Sequence, residues 1–191
     1  MNLKLFPPTN YTNLKYDTEG LYSLTNFNDA DYISILLLEN FTNYINLKIL
    51  DGTGGLGGNT ISFSKFFKNV TSIELNHDRF LMLKNNIEHY NLSNINLLNN
   101  DSVDYLFNNY TNYNIYFFDP PWGGPNYKYE QNISLNLGSK SLIDIILFLK
   151  QNTKEKIIVY KLPFNYDFNE FHQYNYKLYK VKNYFIIIIF I

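Results

Sequence analysis

The stretch LKILDGTGGLGGNT, residues 47–60, joins a short apolar run to a helical pattern through a turn rich in glycine. Residues 47–50 predict a buried strand, and residues 61–67 predict a helix. Glycines allow a ligand to approach the backbone closely, and the N-terminus of the following helix offers unpaired N–H groups. A strand, a glycine-rich turn and a helix in this order predict the nucleotide-cofactor turn of an α/β fold.

The carboxylates beside this turn indicate which cofactor it binds. Residues 52–57 fit the dinucleotide pattern G-x-G-x-x-G, but no lysine follows the last glycine, which excludes a phosphate-binding P-loop. Asp51, at the end of the predicted strand, repels the pyrophosphate of NAD and attracts the ammonium of S-adenosylmethionine. Glu74 lies at the end of the next predicted strand, residues 70–75, where a carboxylate accepts hydrogen bonds from the ribose hydroxyls of either cofactor. The charge of Asp51 therefore favours S-adenosylmethionine.

Asp101 and Ser102 follow the third predicted strand, residues 95–98. In open α/β sheets, ligands bind outside the carboxyl ends of the strands, so side chains at this position can meet the amine of an adenine. An Asp-Ser pair is equally suited to cap the helix predicted over residues 103–107. The two roles are compatible, and the sequence does not choose between them.

The stretch DPPWGGP, residues 119–125, follows the fourth predicted strand, residues 115–118. Two prolines fix successive φ angles, which holds the Asp119 carboxylate and the Pro120 carbonyl in place. Trp122 offers a flat ring beside these acceptors, and the two following glycines let the backbone pass close to a bound group. The stretch predicts a clamp for a planar group with an exocyclic amine, because two acceptors meet the N–H bonds and one face stacks.

The rest of the chain supplies further patterns around these two motifs. Residues 1–28 are polar, aromatic and proline-containing, and they predict an N-terminal arm rather than a core element, followed by a single domain over residues 29–191. Asp29 is expected to cap a helix from Ala30 to Phe41, and residues 126–137, which lack a clear period, predict a substrate loop. Further helices are predicted over residues 78–90 and 138–151, and further strands over residues 155–162, 176–182 and 184–191, the last two as an antiparallel pair.

Composition narrows the classes of protein. A net charge of −1 gives no global field that attracts nucleic acid, so any basic surface is local. The absence of cysteine excludes disulfides and indicates an intracellular protein, and three histidines without ligand spacing predict no metal site. We expect no secretory signal and no membrane helix, since the apolar run at residues 184–191 is far shorter than the ~20 residues required. Residues with A/T-rich codons dominate, which indicates an A/T-rich genome such as that of a virus or a parasite.

With these motifs at successive predicted strand ends, the chain resembles the class I S-adenosylmethionine-dependent methyltransferases. More narrowly, it resembles the trimethylguanosine synthases, which are RNA cap guanine-N2 methyltransferases. The resemblance implies a Rossmann-like α/β fold with a mostly parallel seven-stranded sheet, an antiparallel C-terminal strand pair and a short N-terminal arm. It is carried by DTEG (17–20), SLT (23–25), GGLGGNT (54–60), NNIEHY (85–90), DPPWGGPNY (119–127) and LPFN (162–165).

The resemblance also implies a role for each matching residue. The implied catalytic residues are Asp119, Pro120 and Trp122, with Trp122 also stacking on 7-methylguanine. Asn86 and Tyr127 are the other implied substrate contacts. The implied cofactor residues are Thr25, Asp51, Gly52, Thr53 and Gly54 around the methionine end, Glu74 at the ribose, and Asp101 with Ser102 at the adenine.

Two residues depart from the family pattern. Asp119 stands where the animal enzymes have serine, and Phe164 stands where the family motif L-P-R-N has an arginine that is expected to contact phosphate. Compared with the family, we also expect the helical extension before the catalytic core to be mostly missing.

The resemblance implies transfer of a methyl group from S-adenosylmethionine to the N2 amine of a 7-methylguanosine RNA cap. The expected partner is capped RNA, the expected state is a monomer without metal or membrane, and the expected compartment is the nucleus, the cytoplasm or a viral factory. One alternative is an amino-methyltransferase acting on guanine or adenine in uncapped RNA or DNA, because D-P-P-W suits any exocyclic amine of a flipped base. Another is a non-catalytic cap-binding or regulatory partner with the same fold.

Overall fold

A computed structural model describes residues 2–41 and 46–191 of the chain. The chain divides into two compact units, Met1–Asp101 and Ser102–Ile191. The first unit contains the helices α1 (Thr18–Ser23), α2 (Phe27–Leu38), α3 (Gly58–Phe66) and α4 (His77–His89) and the strands β1 (Lys48–Asp51), β2 (Asn69–Glu74) and β3 (Ile95–Asn99). The second contains the helices α5 (Ser102–Asn109) and α6 (Leu142–Asn152) and the strands β4 (Ile115–Phe118), β5 (Asn136–Leu137), β6 (Lys140–Ser141), β7 (Ile157–Pro163), β8 (Asn175–Val181) and β9 (Tyr184–Phe190).

Seven strands form one sheet in the order β3-β2-β1-β4-β7-β9-β8. β1 and β3 run parallel to β2, and β4 runs parallel to β7, whereas β9 is antiparallel to both β7 and β8. β5 and β6 form a separate antiparallel pair. This arrangement confirms the predicted Rossmann-like fold, with its mostly parallel seven-stranded sheet and its antiparallel C-terminal pair.

The apolar runs of the sequence explain the strand positions. β4 is buried at all four residues and β7 at all seven, as expected for strands covered on both faces. β4 begins and ends where the sequence predicts, and β1, β2 and β3 differ from their predicted bounds by one residue. β9 pairs with β7 on one side and β8 on the other, so its run YFIIIIF is an interior strand of the sheet.

The N-terminal segment packs into the first unit, and the prediction that it lies outside the core is wrong. Its three buried apolar residues, Phe6, Leu14 and Leu21, are separated by mostly polar residues, so no periodic pattern marks these anchors in the sequence. Two short 3-10 turns, Leu3–Leu5 and Tyr11–Asn13, and helix α1 bring these anchors onto α3 and α4. The resulting buried cluster consists of Phe6, Leu14, Leu21, Leu56, Ile61, Leu83 and Ile87.

Three helices, α2, α3 and α6, begin three or four residues away from their predicted starts, whereas α4 and α5 begin one residue early. The Asn26 side chain accepts a hydrogen bond from the Asn28 backbone N–H, so α2 begins at Phe27 instead of Ala30, with Asn26 rather than Asp29 as its cap. Ser141 forms a capping box with Asp144, so α6 begins at Leu142 rather than near residue 138.

The predicted substrate loop over residues 126–137 has regular structure at both ends. Its first residues belong to the 3-10 turn Pro125–Tyr129, and its last two form β5. No helix within residues 2–41 and 46–191 is long and apolar enough to cross a membrane.

Candidate active site

The glycine-rich turn between β1 and α3 depends on the absence of side chains at two positions. A Cβ atom at Gly54 would lie 2.5 Å from Ser72 Oγ and 2.9 Å from Leu83 Cδ2, so β2 and α4 leave no room for one. Gly57 has φ of +101°, in the left-handed region that favours glycine, and it immediately precedes α3. The turn is therefore held tightly against β2 and α4, as the predicted cofactor turn requires.

Asp51 ends β1 with a carboxylate that is fully buried. Its Oδ2 accepts a hydrogen bond from Thr60 Oγ1 at 2.6 Å, and its Oδ1 accepts one from the Thr53 backbone N–H at 3.3 Å. Thr60 Oγ1 also lies 2.8 Å from Ser72 Oγ, which extends the network to β2. The carboxylate thus fixes the shape of the glycine turn, including Gly52 and Thr53, and its contact with a cofactor ammonium stays a prediction.

Glu74 ends β2 and bonds to the same turn. Its Oε2 accepts from the Gly55 backbone N–H at 2.9 Å, and its Oε1 accepts from the Asn76 N–H at 2.9 Å. The two bonds place a carboxylate beside the glycines, where the sequence predicts a ribose contact. Asp101 is half-buried two residues beyond β3 in the first unit, and Ser102 is buried at the start of α5 in the second.

Thr25 lies in the link between α1 and α2, and the structure brings it to the start of α3. Its Oγ1 accepts a hydrogen bond from Asn59 Nδ2 at 3.2 Å. A Cβ atom at Gly58 would lie 2.8 Å from the Thr25 carbonyl oxygen, so this glycine permits the close approach. Asn59 Oδ1 is buried and has no hydrogen-bond partner among the described residues. Thr25 therefore lies beside the cofactor turn, and its contact with the methionine end of the cofactor stays a prediction.

Asn86 has a structural position that the sequence does not reveal. The side chain is fully buried in α4. Its Nδ2 donates to the carbonyls of Lys15 and Leu56 at 2.9 and 3.1 Å, and its Oδ1 accepts from the Lys15 N–H at 2.8 Å. These bonds attach the N-terminal segment to the glycine turn, and the contact of Asn86 with substrate stays a prediction.

The second unit contains the predicted clamp, and it pairs Asp119 with a residue that the sequence analysis missed. Asp119 Oδ2 accepts a hydrogen bond from Lys161 Nζ of β7 at 2.6 Å, and the two side chains are only 16% and 7% exposed. Burial raises the pKa of the Asp119 carboxyl, and the Lys161 ammonium and the nearby Trp122 indole N–H offset part of that rise. Pro120, which follows Asp119, is buried.

Aromatic rings and the same ammonium surround Trp122. Its ring meets the buried Tyr127 edge to face at a centroid distance of 5.2 Å and lies 6.4 Å from the Tyr184 ring. Lys161 Nζ lies 5.0 Å from the centroids of both Trp122 and Tyr184. Trp122 Nε1 is buried, and although it is near the Asp119 carboxylate, no described atom meets hydrogen-bond geometry with it. The indole is thus fixed in one orientation, with an N–H that a ligand can satisfy.

Tyr127 and Phe164 form the outer part of the clamp. Tyr127 is buried and packs 6.4 Å from the Phe164 ring, which is 49% exposed. Asn165 Nδ2 donates to the carbonyls of Tyr127 and Glu130 at 2.7 and 2.8 Å, which attaches the turn after β7 to the loop after Trp122. Tyr127 therefore supports Trp122 from the side, and its predicted contact with substrate stays a prediction.

Lys161 could have been suspected from the sequence only as a charged residue inside an apolar run, IIVYKLP. Its acceptor lies 42 positions earlier in the chain, so only the tertiary fold shows the pair. Among the described residues, no group of three or more histidine, aspartate or glutamate side chains is placed to hold a metal ion.

Comparison with known proteins places the chain among RNA methyltransferases. The family model described as RNA cap guanine-N2 methyltransferase matches residues 46–189. Protein L320 of Acanthamoeba polyphaga mimivirus is 35% identical, over 87% of this chain and 75% of its own length. The trimethylguanosine synthase of Schizosaccharomyces pombe is 29% identical over 83% of this chain, and the match spans 66% of that relative, just under two thirds.

Solved structures share the fold. The N2 G1207 16S rRNA methyltransferase RsmC of T. thermophilus, solved with AdoMet and guanosine, has a TM-score of 0.61 at 16% identity, over 92% of this chain and 43% of that chain. A precorrin-6y C5,15-methyltransferase of Geobacter metallireducens has a TM-score of 0.60 at 15% identity, over 93% of each chain. Because the family model covers most of the chain and the clamp and glycine turn lie within it, this protein belongs to the RNA cap guanine-N2 methyltransferase family.

Proposed function

We propose that the protein transfers a methyl group from S-adenosylmethionine to the exocyclic N2 amine of a 7-methylguanosine RNA cap. The observation that carries this proposal is the clamp at the end of β4, where the Asp119 carboxylate and the Trp122 indole are both held by Lys161. The family match and the trimethylguanosine synthase relative support the choice of substrate. Capped RNA is then the partner of the protein.

The first unit has residues suited to S-adenosylmethionine. Two carboxylates, Asp51 and Glu74, border a glycine turn that lies tightly on β2, which suits a ligand with an ammonium, a sulfonium and ribose hydroxyls. The unpartnered Asn59 Oδ1 is a further acceptor beside Thr25. When bound, S-adenosylmethionine supplies an activated methyl group on its sulfonium. We assign Gly52, Thr53 and Gly54 to the methionine end, with Asp101 and Ser102 at the adenine.

The second unit has residues suited to guanine. Trp122 stacks on the purine, while Asp119 and the Pro120 carbonyl accept the N–H bonds of the N2 amine. This amine is a poor nucleophile because its lone pair is delocalised, and fixed acceptors orient that pair toward the methyl donor. Orientation and fixed dipoles of this kind supply a large part of the barrier reduction in many enzymes, so no metal or covalent intermediate is required.

The charges beside Trp122 affect whether the clamp prefers the cationic 7-methylguanine or a neutral guanine. A 7-methylguanine is cationic and gains a cation–π term of roughly 0.5–2 kcal/mol on an indole. Lys161 already places an ammonium 5.0 Å from the same ring. Across the ring, at roughly 8 Å, two unit charges repel by about 2 kcal/mol at an effective dielectric of 20. Asp119, at 2.6 Å from Lys161, neutralises most of this repulsion, so the clamp still accepts the cationic base.

The position of the Lys161 ammonium beside Trp122 supports one second candidate function. If the Lys161 charge outweighs its pairing with Asp119, a neutral base stacks better than a cationic one. The protein would then methylate guanine or adenine in uncapped RNA or DNA. Release of S-adenosylhomocysteine from three substrates separates the candidates: a 7-methylguanosine cap dinucleotide, the same dinucleotide without the 7-methyl group, and uncapped oligonucleotides. We expect turnover on the first to exceed the others by at least tenfold. Equal turnover on all three would contradict cap recognition.

A further inference from the structure

Lys161 is a buried charge in a strand that is otherwise apolar except for one tyrosine. The whole residue is 5% exposed and lies in β7, where the flanking Tyr160 and Leu162 are fully buried. Its backbone pairs with Ile186 of β9, so the strand would be complete with an apolar residue in its place. Replacing a buried ion pair with apolar residues of similar volume is often neutral or stabilising. Stability alone therefore gives no reason for a lysine at this position.

The partners of the ammonium indicate another reason. Lys161 Nζ lies 2.6 Å from Asp119 Oδ2 and 5.0 Å from the Trp122 ring centroid, so it contacts both proposed halves of the guanine clamp. The Tyr184 ring of β9 lies on it at the same distance, which limits its freedom to move. One cation thus connects the acceptor and the stacking surface.

We propose that Lys161 is the positioning residue of the clamp, which keeps Asp119 an ionised acceptor and fixes the plane of Trp122. This inference rests on the proposed function. It identifies Lys161 as the residue that holds the proposed guanine-binding side chains in place. An ionised carboxylate accepts strongly on both oxygens, whereas a protonated one donates from one oxygen and is a much weaker acceptor there. Burial favours protonation of Asp119, and the neighbouring ammonium opposes it.

The test compares Lys161→Met, which removes the charge and keeps a long side chain, with Lys161→Arg, which keeps the charge. Trp122 is the only tryptophan, so its fluorescence reports ionisation of the adjacent Asp119 without cofactor or RNA. A plot of fluorescence against pH should show an inflection at acid pH where Asp119 becomes protonated. We expect this acid inflection to move upward by about one pH unit or more in Lys161→Met. The acid limb of the pH profile of turnover should move in the same direction. In Lys161→Arg, the inflection and the acid limb should both stay near their native pH values.

Lys177→Met is a matched control. Lys177 is an exposed residue of β8 whose ammonium lies 5.5 Å from the Phe190 ring, so it makes the same type of cation–ring contact with a ring outside the clamp. Its replacement should leave the inflection and the pH profile unchanged. A folded Lys161→Met protein with the native inflection, or with turnover lowered equally at every pH, would overturn the inference, because a space-filling role predicts that result.

A double variant keeps the inference testable if Lys161→Met does not fold. In D119N/K161M both charges are removed together, so no buried charge is left unpaired. We expect this protein to fold and its Trp122 fluorescence to lose the acid inflection. Persistence of the native inflection would show that Asp119 is not the titrating group and would overturn the inference. A shifted inflection in Lys161→Met together with no cap methylation by the native protein would uphold the inference about the clamp and contradict the proposed function.

Discussion

Trp122 packs edge to face with Tyr127, and the Lys161 ammonium lies over its ring, so the indole is available as a rigid stacking surface. Trp122→Ala should weaken cap binding by ~1–3 kcal/mol, since stacking and the cation–π share are both lost. Discrimination between 7-methylguanosine and guanosine should disappear as well. Equilibrium binding of the two cap analogues to native and variant protein measures both effects.

Trp122→Phe is the control for this substitution, because it keeps a ring with a weaker quadrupole. We expect this variant to fold and to retain part of both the affinity and the discrimination. If Trp122→Ala binds both analogues with the affinities of the native protein, then Trp122 is not the stacking surface for the cap.

Asp119 has a structural role beside its proposed catalytic one. Asp119→Ala leaves the buried Lys161 ammonium without its carboxylate, and removal of one partner of a buried ion pair costs about 3–5 kcal/mol. The free energy of unfolding in urea should therefore fall by an amount of this order. Asp119→Asn should lose less stability, since its amide oxygen still accepts from Lys161. An Asp119→Ala protein as stable as the native one would show that the pair is not important for folding.

Asp17, at the N-terminus of α1, attaches this helix to α4. Asp17 caps α1 by accepting from the Gly20 N–H, and it pairs with Arg79 of α4 at 3.0 Å. Burial alone would raise the pKa of Asp17, but the hydrogen bonds from Arg79 and Gly20 and the Arg79 charge lower it overall. A lowered folded-state pKa means that this stabilisation is present above the unfolded pKa of about 3.9 and is lost as the pH falls through the folded value.

Asp17→Asn should therefore lower stability at neutral pH by ~1 kcal/mol, a value reduced for the partial exposure of the pair. Well below pH ~3 the native protein and the variant should have the same stability, because Asp17 is then protonated in both states. Thermal melting at the two pH values measures the difference. Glu19→Gln is the control with little expected effect, since Glu19 pairs with Arg79 from a largely exposed position. If Asp17→Asn were still less stable than the native protein at acid pH, ionised Asp17 would not be the source of the stabilisation.

Elements with continuous apolar runs could be predicted closely from the sequence, because a strand covered on both faces leaves a pattern that is purely local. β4 and β9 are examples. The start of α2 could not be predicted, since Asn26 and Asp29 are both good caps and tertiary packing selects between them. The placement of Phe6 and Leu14 in the core depends on contacts with α3 and α4, far away in sequence.

The candidate site divides in the same way. The glycine turn and the Asp119 to Trp122 stretch are ordered motifs, and their positions at strand ends could be inferred from local patterns. Lys161 and the buried amide of Asn86 could not, because each has its meaning only through partners brought together by the fold. In a chain rich in lysine and asparagine, single residues of these types carry little information.

β9 is central to the second unit because it joins β7 to β8. Deletion of residues 185–191 removes most of this strand and leaves two neighbours with unpaired backbone groups, at a cost far above the usual stability of a domain. The truncated chain should be insoluble or fail to melt cooperatively. A soluble truncated protein with the native melting temperature would contradict the central position of β9.

The proposed function depends on which atom receives the transferred methyl group. The most direct measurement is mass spectrometry of nucleosides released from a 7-methylguanosine cap dinucleotide after incubation with the protein and S-adenosylmethionine that carries a deuterated methyl group. We predict that the label appears on N2 of the cap guanosine, as dimethylated or trimethylated guanosine, and that Trp122→Ala reduces it strongly. An unlabelled cap, or a label on any other atom, would contradict the proposed function.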